Sequence, residues 1–151
     1  MTAPPRLPAS LSAMYQEMIL QHYRAPHGRG LPVGPPVHEG ARKNPLCGDD
    51  MRVGVVLSGG RIDAVGFEGR GCSITMASAS MLTQAVRGQA VADARALAAA
   101  VEALLRGEAV REESLGGELR ALAGVAAYPQ RVGCARMPWL ALLDALDAAR
   151  E

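Results

Sequence analysis

Apolar residues recur along this chain with two distinct periods. Met51, Val53, Val55 and Leu57 alternate with Arg52, Gly54, Val56 and Ser58, close to the period-two pattern of a strand with one buried face. Ser58-Gly59-Gly60-Arg61 follows and predicts a tight hairpin turn, because paired glycines reach the positive φ angles that such turns need. The returning strand is predicted from Ile62 to about Phe67, and Gly66, Gly69 and Gly71 then mark a loop that delivers Cys72. Elsewhere the spacing is helical. Met14, Met18, Ile19 and Tyr23 fall near one face of a helix from Ser10 to about Tyr23, capped by Ser10 or Ser12. Ala25-Pro26 ends it, since proline disfavours helical geometry in the residue before it.

Ser73 to Arg87 and Val91 to Arg106 read as further helices, stopped by Gly88 and Gly107. A short helix is predicted from Glu118 to Ala123. Pro138 is predicted to open the last one, in which Trp139, Leu142, Leu143 and Leu146 share a face. Residues 26–45 carry prolines at 26, 32, 35, 36 and 45 and read as a loop-rich connector with at most one short strand near Val37. Residues 107–115 are charged and expected to be exposed. Two antiparallel strands followed by helices predict an α+β domain, with residues 1–12 as a flexible N-terminal tail and 13–151 as a single domain.

Composition narrows the core and the partners. With 49% hydrophobic but only 3% aromatic residues, the core must be built from Ala, Leu, Val and Met. The formal net charge is +1, from 16 basic and 15 acidic side chains, which supplies no electrostatic footprint for nucleic acid and no reason to expect a membrane surface. No apolar run approaches the roughly 18 residues that cross a bilayer. The start, MTAPPRLPAS, lacks the apolar stretch of a secretory signal, so a reducing, cytoplasmic location is expected. Three cysteines are an odd number and do not close a complete set of disulfides. In a reducing compartment they serve metal binding or chemistry more often than cross-linking.

Each cysteine lies beside turn chemistry. Cys47 sits in Asn44-Pro45-Leu46-Cys47-Gly48-Asp49-Asp50, Cys72 in Gly69-Arg70-Gly71-Cys72-Ser73, and Cys134 in Arg131-Val132-Gly133-Cys134-Ala135, just ahead of the predicted last helix. Packed cysteines behave as small apolar residues inside strands and helices; three in glycine-flanked loops point instead to sulfur open to a metal or a partner. Cys47 and Asp49 are one residue apart, so an extended segment directs both to one side. Three thiolates and one carboxylate would complete a tetrahedral zinc site. There is no C-x-x-C pair, and the cysteines stand 25 and 62 residues apart, so spacing alone leaves metal, redox and packing roles open.

Two segments decide among these. Asn-Pro-x-Cys-Gly-Asp at 44–49 and Phe-Glu-Gly-Arg-Gly-Cys-Ser-Ile-Thr-Met-Ala-Ser-Ala-Ser at 67–80 resemble the paired motifs of the SufU/IscU iron–sulfur assembly proteins. Met14-Tyr15 to Pro26, centred on His22-Tyr23-Arg24, resembles the family's first helix, and the likeness extends to the C-terminus. IscU-type scaffolds have a histidine immediately before the third cysteine and a Leu-Pro-Pro-Val-Lys chaperone motif upstream. Here Gly133 precedes Cys134 and the upstream stretch reads Tyr128-Pro-Gln-Arg-Val. The charged stretch near 107–117 and the Gly124-Val125 to Pro129-x-Arg131 run are similar to the SufU branch.

The resemblance implies a small antiparallel sheet with helices packed on one face and a metal site at the loop ends. It implies zinc held by Cys47, Asp49, Cys72 and Cys134, with an iron–sulfur cluster at most a transient guest. It also implies acceptance of sulfane sulfur from the persulfide of a pyridoxal-phosphate cysteine desulfurase of the SufS type, for delivery to downstream iron–sulfur assembly proteins. Cys47 is the expected acceptor, and Arg131 is expected to steer the persulfide or the partner. Two other readings compete: a scaffold on which a cluster is built, and a non-catalytic module with a structural zinc.

Several residues have plainer readings. Arg131 alone is an ordinary exposed arginine, and Asp50 competes with Asp49 as a ligand until the motif selects Asp49. His22, His27 and His38 lack local ligand spacing, and His22 within a helix is expected to be packed or partner-facing. Gly69 and Gly71 are not followed by the lysine and threonine of a phosphate loop. Met14, Met18, Met76 and Met81 sit at helical spacing and are expected in the core.

Overall fold

The alternating segment forms the middle strand of a three-stranded antiparallel sheet. The structure is a computed structural model that describes residues 9–34, 36–44, 48–115 and 117–149. In chain order it contains α1 (Ala9–Arg24), β1 (His38–Asn44), β2 (Asp49–Ser58), β3 (Arg61–Arg70), α2 (Ser73–Val86), α3 (Val91–Leu105), the single turn α4 (Glu112–Leu115), a 3₁₀ segment (Gly117–Ala127) and α5 (Pro129–Ala148). The strands lie in the order β1-β2-β3. Gly59 and Gly60, at φ +57° and +78°, make the predicted turn between β2 and β3. Val53 faces Phe67 and Val55 faces Val65 across that pair. These residues and Met51 are buried, as the period-two pattern requires.

Three expectations need correction. The connector was expected to hold at most a short strand near Val37, giving two strands in all; instead β1 spans His38–Asn44 and pairs with β2 from His38↔Val55 to Asn44↔Asp49. Its sequence, HEGARKN, turns only Gly40 fully inward, so it shows no apolar alternation to read. β3 continues beyond Phe67 to Arg70, because β2 begins at Asp49 and offers Asp50 as the partner of Arg70.

The largest correction concerns the last helix. It starts at Pro129, the first-turn position where a missing N–H costs nothing, and Pro138 lies inside it. Cys134 therefore sits in the second turn of α5 and not in a loop ahead of it. Proline at 138 removes the donor that the Cys134 carbonyl would otherwise receive. Next to this gap Ser78 Oγ donates to the Ala135 carbonyl (2.7 Å) and accepts from Trp139 Nε1 (3.1 Å), so α2 stitches α5 where its own ladder is broken. Smaller differences are the start of α1 at Ala9, inside the segment expected as tail, and the burial of Leu115 within the charged stretch.

Helices α2 and α5 cover the inner face of the sheet. Phe67, Met51, Ile62, Met81, Leu82, Leu122, Leu142 and Leu146 are among the largest fully buried side chains, a core of aliphatic and methionine residues as the composition dictates. α5 approaches β1 so closely that a Cβ on Gly40 would lie 2.0 Å from the Ala141 carbonyl oxygen. On the far side, the backbone of Gly28 and Gly30 hydrogen-bonds Phe67 (2.9 and 2.7 Å) and covers the outer edge of β3. Among the described residues no helix is long and apolar enough to cross a membrane.

Candidate metal centre

Three elements meet at one end of the sheet, and each brings one donor. Asp49 opens β2, Cys72 caps the N-terminus of α2, and Cys134 projects from α5. A carboxylate oxygen of Asp49 and the sulfurs of Cys72 and Cys134 all lie within 4.8 Å of one another. A tetrahedral zinc with bonds of about 2.3 Å to sulfur needs donors roughly 3.8 Å apart, so small side-chain shifts bring these three onto one ion. Two soft sulfurs and one carboxylate also match the donor types that zinc takes. Cys47 lies outside the described residues. Its neighbour Gly48 donates its backbone N–H to the Asn44 carbonyl at 2.8 Å.

Local structure explains the placement. Strand geometry sends successive side chains to opposite faces, so Asp49 points at the cysteines and Asp50 points away. Asp49 is buried and accepts a hydrogen bond from Thr75 Oγ1 at 2.7 Å. Cys72 has extended backbone angles (φ −69°, ψ 173°) at the cap, where the free N–H groups and positive end of the helix favour negative charge. Burial pushes its thiol up, but the Thr75 hydroxyl, the Thr75 and Ile74 N–H groups and Cys134 together outweigh that and bring Cys72 below the ordinary thiol range. Cys134 goes the other way, pushed up to about 12 by burial and then by the adjacent Cys72 sulfur. The two sulfurs thus lean in opposite directions, Cys72 toward the thiolate and Cys134 toward the thiol.

Arg131 lies in the first turn of α5, exposed beside this pair. The charge of Cys72 is the main cause holding its guanidinium above the usual arginine value. Arg70 is exposed at the end of β3. The histidines stand elsewhere. His22 is buried, with Nδ1 2.7 Å from Ser80 Oγ and Nε2 paired to Glu118. His27 packs edge-on against it and His38 opens β1 at the end away from Asp49. Among the described residues no histidine joins the donor group. Met76 and Met81 are core residues, as expected, and Met18 packs against the core.

Thr75 carries no signal as a ligand in the sequence, yet it hydrogen-bonds Asp49, lies 3.5 Å from Cys72 and bears on Cys134. Its signal is one of position: a hydroxyl residue three positions after a helix-capping cysteine sits in the first turn, over the cap side chain.

Relatives carry the same framework. The family described as NifU-like N terminal domain matches residues 14–135. The zinc-dependent sulfurtransferase SufU of Bacillus subtilis is 36% identical over 134 residues, covering 89% of this chain and 90% of that protein. The iron-sulfur cluster assembly scaffold protein IscU of Streptococcus pyogenes is 35% identical over 138 residues, 91% of this chain and 86% of its own. The crystal structure of FiSufU from Fervidobacterium islandicum superposes with a TM-score of 0.78 at 30% identity, covering 89% of this chain and 97% of that one. Likeness at this level, over nearly the full length and through the strand, cap and helix that bring the donors together, makes the chain a member of the NifU-like N-terminal domain family, the iron–sulfur cluster assembly proteins that include SufU and IscU.

Proposed function

We propose that this protein binds one zinc ion through Cys47, Asp49, Cys72 and Cys134 and accepts sulfane sulfur from a cysteine desulfurase for iron–sulfur cluster biogenesis. The observation that carries the reading is the convergence of Asp49, Cys72 and Cys134 within 4.8 Å. A zinc ion bound there supplies the positive charge that keeps the sulfurs deprotonated at neutral pH. The B. subtilis relative is named as zinc-dependent and as a sulfurtransferase, and Gly133 stands where IscU-type scaffolds have histidine. The working unit is the single domain of residues 13–151, acting in the cytoplasm with a desulfurase of the SufS type and downstream assembly proteins.

Cys72 caps α2 and Cys134 lies inside α5, so displacing either disturbs a helix; Cys47 is the acceptor on this reading. Its thiolate attacks the terminal sulfur of the desulfurase persulfide. A sulfur–sulfur bond forms on Cys47 as the donor's breaks, and the desulfurase cysteine departs as a thiolate. Arg131, exposed beside the sulfurs, attracts the anionic persulfide.

The test is metal analysis of freshly isolated protein, followed by peptide mass spectrometry after incubation with desulfurase and cysteine. About one zinc per chain and added sulfur on Cys47 are expected. Stoichiometric iron with acid-labile sulfide would make the protein a scaffold instead. Sulfur found only on Cys72 or Cys134 would remove Cys47 as acceptor. Arg131→Ala is expected to keep its zinc and to lower stimulation of the desulfurase severalfold. Stimulation equal to the parent's would leave the arginine as surface charge.

A further inference from the structure

We propose that the Thr75 hydroxyl is the positioning group of the metal centre, gripping one carboxylate oxygen of Asp49 so that the other is presented to the cation as a single-point ligand. The inference rests on the zinc reading above. Three observations support it. Thr75 Oγ1 donates to Asp49 Oδ2 at 2.7 Å, and Cys72 Sγ lies 3.5 Å from the same hydroxyl oxygen. The residue is fully buried, so bulk water does not compete for the hydroxyl, and its partners among the described residues are the donors themselves: Asp49, Cys72 and Cys134. Finally, a Cβ at Gly71 would stand 2.7 Å from Thr75 Cβ, so only glycine beside Cys72 leaves the threonine its place.

The chemistry follows from counting protons. A hydroxyl has one to donate, and among the described residues Thr75 stands between three acidic groups, of which Asp49 receives it here. While it is given to Asp49, that carboxylate is held in one orientation, and the lone pairs of the threonine oxygen face Cys72. Rotated toward Cys72, the same proton quiets the thiolate and leaves the Asp49 carboxylate free to swing and bind through both oxygens. The hydroxyl therefore sets the denticity of Asp49 and weights the ligand strength of Cys72 against it. Partners in this position orient metal ligands generally, and their loss weakens metal binding by about 10–100-fold.

Thr75→Val keeps the shape and removes the hydroxyl; Thr75→Ser keeps the hydroxyl and removes the methyl. Zinc affinity by chelator competition is expected to fall about 10–100-fold in Thr75→Val and to stay within about threefold of the parent in Thr75→Ser. The cobalt(II)-substituted Thr75→Val protein should show weaker visible d–d bands, the mark of a carboxylate that has gone from one-point to two-point binding. If valine is rejected by the core, Thr75→Ala removes the same hydroxyl and is read in the same way. Parent-like affinity and an unchanged cobalt spectrum in the hydroxyl-free variants would overturn the inference and leave the zinc site standing, as would an equal loss in Thr75→Ser. A parent protein that takes up no zinc would instead bring down the metal reading, and this inference with it.

Discussion

Cys134→Ser is expected to bind zinc on the order of 10²–10³ times more weakly than the parent, and Cys72→Ser and Asp49→Ala to fall in the same range. Structural zinc sites release about 10–16 kcal/mol on binding at pH 7, so an equal share among four ligands is about 2.5–4 kcal/mol each. The pH dependence has a definite sign. Cys134 is held up to about 12 and is a thiol throughout the neutral range, so zinc uptake must expel its proton. Affinity therefore rises with pH and falls as pH drops, by about tenfold per unit for each proton released. Calorimetry in two buffers of different ionisation enthalpy counts those protons. The parent should release at least one at pH 7, and Cys134→Ser about one fewer. Retention of full zinc in the Cys72 and Cys134 variants would remove those residues from the site.

Gly40→Val is expected to be the most damaging single change to the fold. Valine is the better strand former by up to about 1 kcal/mol, so local propensity favours the substitution. Contact decides the other way. The new Cβ would stand 2.0 Å from the Ala141 carbonyl oxygen and 2.6 Å from the Ala145 backbone nitrogen. Both are backbone atoms of a 20-residue helix, which must lift bodily to make room. A loss of about 3 kcal/mol or more is expected, seen as a fall of about 6–12 °C in the melting temperature. Because α5 carries Cys134, zinc affinity should fall as well. Gly54→Ala is the control. Its Cβ would meet Leu31 Cδ2 and Val37 Cγ1 at 3.2 Å and Pro32 Cδ at 3.3 Å, side-chain atoms of a surface segment and not the backbone of a packed helix, and a cost under about 1 kcal/mol is expected. Equal melting temperatures for the two variants would show that α5 does not rest on Gly40.

Legibility in the sequence tracked how each element earns its burial. The β2–β3 hairpin was readable because half its residues enter the core and announce themselves by alternation. β1 was not, since it is held by hydrogen bonds to β2 and by the close approach at Gly40, where the inward residue has no side chain to give a signal. Helices α1, α2 and α3 were placed nearly to the residue by their apolar stripes and their glycine and proline stops. α5 is hidden because it contains two prolines, and Pro138 inside it has the same local signature as Pro129 at its start. Its first nine residues survive the broken ladder through Ser78 and Trp139, a contact across 61 positions that no local pattern contains. The meeting of Asp49, Cys72 and Cys134 is not contained in their spacing, because folding unites residues from three distant elements, and the family resemblance is what joins them in sequence. Thr75 is silent in the sequence because a hydroxyl that orients ligands has no ligand chemistry of its own to mark it.

The covered edge of β3 has a consequence for self-association. With Gly28 and Gly30 bonded to Phe67, and Gly88 and Gln89 bonded to Ile62, that side is interrupted as a template for a foreign strand, and β1 is the other border of the sheet. β1 answers with Glu39, Arg42 and Lys43, all exposed, and a second copy pairing there in the antiparallel sense would have to strip water from charges on both chains. Crowded copies are thus discouraged from templating one another through their sheets.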